Sequence, residues 1–88
     1  MTFEVEITPE GLRHLDRLPA KVRNAVLEAI FGTIAENPQR AGKALRGELE
    51  GLYSARRGDF RVVYEIDEAR HVVLVHRAQH RRKVYRRR

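Results

Sequence analysis

Apolar and acidic residues alternate over Phe3–Ile7 (FEVEI), placing Phe3, Val5 and Ile7 on one side, the pattern of a half-buried strand. Such a strand belongs at a sheet edge or in an antiparallel pair. Thr8-Pro9-Glu10 then starts a helix, with a hydroxyl to cap it, proline at its first position and an acid near the positive end of its dipole. Leu12, Leu15 and Leu18 recur every three residues as a narrow apolar stripe ending before Pro19. From Ala20 a second helix carries a wide stripe of Val22, Val26, Leu27, Ile30, Phe31 and Ile34, and it ends at Asn37-Pro38, where the residue before proline is pushed out of the helical region. Gly32 inside this helix costs up to about 1 kcal/mol relative to alanine, and close packing of the two helices is the expected reason for it.

Residues 38–51 (PQRAGKALRGELEG) read as a connector. Beyond it the period changes to two. Leu52–Arg56, Phe60–Ile66 and Val72–Arg77 are predicted strands, joined at Arg57-Gly58-Asp59 and at Asp67-Glu68-Ala69-Arg70. Although Arg57-Gly58-Asp59 spells a cell-adhesion tripeptide, it reads here as a tight hairpin turn whose glycine takes a positive φ. The predicted fold is α+β over residues 1–88 as a single domain: an N-terminal strand, a two-helix hairpin, then a three-stranded antiparallel meander, with the helices packed on one face of a four-stranded sheet.

Charge sharpens this picture. Residues 1–50 hold seven Lys/Arg against eight Asp/Glu, whereas residues 51–88 hold eleven against four, so the whole excess of +6 arises in the C-terminal part. A small basic face of this kind suits an anionic partner, nucleic acid above all. With no cysteine there is no disulfide framework and no thiolate metal site. Acids near the N-terminus and the lack of a long apolar run point to a cytoplasmic chain without membrane association. His76 and His80 are a four-residue pair that a strand end does not bring to one ion, and no metal or other cofactor is expected. His14 and His71 read as surface residues.

In the strand from Phe60, the residues Phe60, Val62, Tyr64 and Ile66 share the face expected to meet the helices, which turns Arg61, Val63 and Glu65 the other way. Tyr53 and Ala55 likewise point to the core, leaving Ser54 and Arg56 on the opposite face with Arg61. Val72–Val75 are all apolar, so alternation assigns no faces to the last strand, but its end is expected to bring His76, Arg77, His80, Arg81 and Tyr85 to the same edge of the molecule. Arginine forks there would bind phosphate oxygens, and a tyrosine would stack on an unpaired base for about 1–3 kcal/mol.

An ordered set of features resembles the RelE family of bacterial toxins, within the RelE/ParE superfamily. The set comprises Leu45-Arg46-Gly47, Tyr53, Arg56 and Arg57, Gly58, Phe60-Arg61-Val62-Val63-Tyr64, His80-Arg81 and Val84-Tyr85. The resemblance implies an endoribonuclease that enters the ribosomal A site and cuts messenger RNA, silenced by a cognate antitoxin. The family's functional positions match at Arg56, Arg61, Arg81 and Tyr85. Some members carry lysine where this chain has Ser54, and here the stretch from the matched arginine to the terminal tyrosine is two residues shorter.

Cleavage without a metal requires a base for the 2′-hydroxyl, stabilisation of the phosphorane and an acid for the leaving 5′-oxygen. Arg61 and Arg81, assisted by Arg56, are expected to hold the phosphate and stabilise its charge, while Tyr85 orients a neighbouring base. His80 is the candidate general base by side-chain type, or else a simple RNA contact, with the Tyr85 phenol as the other candidate base. Ser54, Arg57, Arg77, Arg82 and Lys83 are expected to contact RNA. The expected partners are the ribosome with its message and an antitoxin whose acidic segment covers Arg56, Arg61 and Arg81. Two other functions fit the same pattern: a ParE-like inhibitor of DNA gyrase, and a non-catalytic RNA- or ribosome-binding module.

Overall fold

A computed structural model of the chain describes residues 2–83. In chain order these form β1 (Glu4–Ile7), α1 (Pro9–Arg17), α2 (Ala20–Ala29, continued by a π-helical segment Ile30–Ile34), α3 (Pro38–Ala41), β2 (Lys43–Ala44), β3 (Leu52–Arg57), β4 (Phe60–Asp67) and β5 (Val72–His80). The strands make one sheet in the order β1-β5-β4-β3-β2. Strands β3, β4 and β5 are the expected antiparallel meander. The sheet has five strands rather than four, because Lys43 and Ala44 in the presumed connector pair with Ser54 and Tyr53. A two-residue strand is too short to show alternation. At the far edge, β1 runs parallel to β5.

The Thr8 hydroxyl accepts from Gly11 N at 3.0 Å, with Pro9 opening α1 as predicted. Thr8 N itself donates to Val75 O at 2.9 Å, and a Cβ at Gly11 would come within 2.9 Å of the same oxygen, so the helix begins hard against β5. The leucine stripe is different from expectation. At 100° per residue a spacing of three drifts 60° each step, and Leu12 comes out 52% exposed while Leu15 is buried. His14, expected on the surface, is buried in its place, and its Nδ1 accepts from Ala78 N at 3.3 Å. Pairing of β1 with β5 stops at Ile7–Val75, so this imidazole occupies the edge where a longer strand would have bonded. His71 also departs from expectation, stacking on Phe3 with ring centroids 3.7 Å apart.

Leu15, Val26, Ile30 and Ile34 from the helices pack against Ala55, Val62, Tyr64, Val73, Val75 and Ala78, with Tyr53, Phe60 and Ile66 at the margin. The helices therefore cover the predicted face of the sheet. Gly32 does not serve their packing: a Cβ there would meet nothing within 4 Å, and its neighbour Phe31 is 57% exposed. Gly58, at the first central position of the two-residue β3–β4 turn, has φ +61°, the positive value such a turn requires.

One irregularity governs the far side of the sheet. Val63 pairs with Arg77 but Tyr64 pairs with Val75, leaving His76 as an extra residue in β5. This bulge reverses the alternation: Val73 and Val75 face the helices, and beyond the bulge it is Ala78 and His80 that do so.

Candidate nucleic-acid interface

The β3–β4 hairpin places Arg56 directly opposite Arg61, and Arg61 opposite Gln79 of β5. Ser54, Val63 and Arg77 form the next row across the same face. Cross-strand neighbours point to the same side, so these residues lie opposite the helices. Although Val63 is on this side, it is fully buried.

A depression of about 560 Å³ opens where this face meets the β2 edge, and its lining includes Arg40, Lys43, Ser54, Arg56 and Arg61. Among the described residues no carboxylate lines it, and none of the four cations that do makes an ion pair. Arg61 Nη1 is buried with no hydrogen-bond partner among the described residues. A buried guanidinium nitrogen without an acceptor is costly, and an anion in the depression would satisfy it. Several charges elsewhere on this face are paired. Arg70 reaches Glu6 at 2.8 Å and Asp67 at 3.9 Å, while Glu65 meets His76 at 3.1 Å. Positive potential is thus concentrated at the hairpin end of the sheet.

Arg81 follows β5, and its backbone N donates to Asp59 O at 2.8 Å, which carries the β4–β5 ladder one step further. Continued alternation sets it on the side of Gln79 and Arg77. Arg82 and Lys83 are exposed in the same turn, where Arg82 N donates to His80 Nδ1 at 3.2 Å.

Three expected members lie elsewhere. His80 is opposite Phe60 and packs against its ring edge-on at 5.5 Å, on the helix side of the sheet. The bulge at His76 puts it there, away from Arg56 and Arg61. Lys83 lines the same helix-side hollow as His80, His14 and Arg17. Arg57, one residue past Arg56, also alternates to the helix side, where it faces Glu28 at 3.8 Å. Tyr85, with residues 84–88, lies outside the described residues.

Conversely, Arg40 and Lys43 were missed as site residues. Their signal was present: residues 37–47 contain Arg40, Lys43 and Arg46 and no acid. Read as a connector, the segment had no face, and its cations had no assigned direction.

A family model described as the ParE toxin of a type II toxin-antitoxin system, parDE, matches residues 5–85. Toxin RelE of Mycobacterium tuberculosis is 51% identical over 78 residues, covering 88% of this chain and 80% of that protein. Toxin RelG of the same organism is 42% identical over 87 residues, covering 99% of this chain and all of its own. Among solved structures, the RelBE2 toxin-antitoxin complex of M. tuberculosis contains a chain that superposes with a TM-score of 0.89 at 41% identity, covering 92% of this chain and 93% of that one. Fold, chain-length coverage and identity agree, and the protein belongs to the RelE family of type II toxins within the RelE/ParE superfamily.

Proposed function

We propose that the protein is a ribosome-dependent endoribonuclease that cuts messenger RNA in the A site and thereby halts translation in the cytoplasm. The observation that carries this reading is the facing pair Arg56 and Arg61, in a depression that, among the described residues, no carboxylate lines and in which Arg61 Nη1 is buried and unpartnered. Attack of the 2′-oxygen, whose proton passes to a base, on the adjacent phosphorus breaks the bond to the 5′-oxygen of the next nucleotide, which takes up a proton from an acid, and leaves a 2′,3′-cyclic phosphate. Arg61 and Arg56 stabilise the negative charge that gathers on the phosphorane, with Arg81 approaching from the end of β5. Among the described residues the depression has no imidazole lining, so positioning and charge stabilisation supply the rate there. Tyr85 is assigned the orientation of a neighbouring base. A cognate antitoxin with an acidic segment would occupy the same cations and silence them, as a RelB chain accompanies the related toxin in the RelBE2 complex.

Primer extension on ribosome-bound message, comparing wild type with Arg61→Ala, tests the reading. Breaks within A-site codons that disappear in the variant support it. The parDE description of the matching family favours a second reading, inhibition of DNA gyrase. That reading predicts intact message and cleaved DNA.

A further inference from the structure

We propose that Arg40 and Lys43 form a second phosphate subsite beside Arg61, so that the depression grips two consecutive phosphates of one RNA strand. The inference rests on the nuclease reading of the Arg61 site and deepens it.

Charge arithmetic is the first argument. Each phosphodiester carries one negative charge, and the pair Arg56 and Arg61 already presents two guanidinium groups to one of them. Two further cations, Arg40 and Lys43, line the same depression, without an ion pair among the described residues. The next phosphate along the strand is the anion nearest to hand for them.

Rigidity is the second. The Tyr64 hydroxyl, fully buried, donates to Pro38 O at 2.7 Å, and Lys43 is in register with Ser54. Gly42 lies between, where a Cβ would stand 2.6 Å from the Tyr64 hydroxyl oxygen and 2.7 Å from Ser54 O. Tyr64 is three residues from Arg61 on the same strand. The segment bearing Arg40 and Lys43 is therefore held in fixed relation to the strand that carries Arg61, as a preorganised subsite requires.

A charge-neutralisation cycle tests this. Ribosome-bound message is prepared with a neutral methylphosphonate in place of the phosphate on either flank of the cut. Wild type and the double variant Arg40→Ala/Lys43→Ala are then compared, with circular dichroism melting as the check on folding. In wild type, neutralising one flank should slow cleavage by about ten- to a hundredfold, the worth of a charged hydrogen-bond contact. In the double variant the unmodified message should be slow by a similar factor, and the methylphosphonate should slow it no further. If the variant remains as sensitive as wild type on both flanks, or cuts unmodified message at the wild-type rate, the subsite is overturned while the nuclease reading stands. If wild type cuts no message, both fall.

Discussion

Arg56 and Arg61 stand directly opposite each other across β3 and β4, two like charges in one cross-strand pair. Such a pair opposes folding, by roughly 0.2–1 kcal/mol. Replacing Arg56 with threonine, a good strand former, should therefore raise the urea midpoint of the free toxin while lowering its rate of message cleavage. A drop in both would mean that the pair supports the fold.

Loss of Arg61 should be far more damaging than loss of His80. Arg61→Ala is expected to lower the cleavage rate by about 10²- to 10³-fold, as removal of a preorganised charge-stabilising group does. His80→Gln should retain near-wild-type cleavage, because the imidazole packs on Phe60 on the other side of the sheet. Single-turnover rates on ribosomes separate these outcomes, and a silent His80→Gln would remove the imidazole from the list of bases.

Burial raises the Tyr64 phenol from its ordinary value of 10.0 to about 12, with Tyr53 contributing in the same direction. The protonated phenol also donates to Pro38 O. A raised folded pKa means that this contribution to stability is complete below pH 10.0 and is lost as pH rises toward about 12. Ultraviolet titration should show a late tyrosine ionisation that vanishes in Tyr64→Phe. The variant should also lose about 1–3 kcal/mol at neutral pH, since Pro38 O is left without its donor.

His14 has the opposite sign. Desolvation lowers its pKa below 6.5, Glu10 partly offsets this, and Arg77, Arg17 and Arg13 reinforce it. Its neutral Nδ1 accepts from Ala78 N, a role that protonation abolishes. The unfolded chain takes up this proton more readily, so the contribution is present above pH 6.5 and fades as pH falls below it. Melting temperature should therefore fall between about pH 7 and about pH 5. In His14→Asn, which keeps an acceptor but does not titrate, that part of the slope should be absent.

The two glycines at 32 and 42 should respond oppositely to alanine. Gly42→Ala drives a Cβ into Ser54 O and the Tyr64 hydroxyl, and overpacking of this kind costs about 1–3 kcal/mol. Gly32→Ala meets open space and should be neutral or stabilising by up to about 1 kcal/mol. Chemical denaturation of both variants checks the contrast.

Local chemistry was enough to place most of the elements. Thr8-Pro9 announced α1, Pro19 and Pro38 bounded α2 with its π-helical continuation, and period-two alternation in Phe60–Ile66 put Arg61 with Arg56 on the face away from the helices. Each of those inferences rests on neighbours within a few residues. What alternation could not supply was any fact that depends on pairing between distant segments. The edge strand Lys43–Ala44 exists only because Ser54 and Tyr53 offer it a ladder, and it carries Lys43 into the depression that Arg40, in the preceding α3, also lines. His76 is surplus only with respect to Val63 and Tyr64 in β4, and that single extra residue turns Arg77 and Gln79 toward Arg61 and sends His80 to Phe60. In a strand every second side chain shares a face, so a one-residue shift in register reassigns all that follow, and register is a property of two chains in contact rather than of either alone.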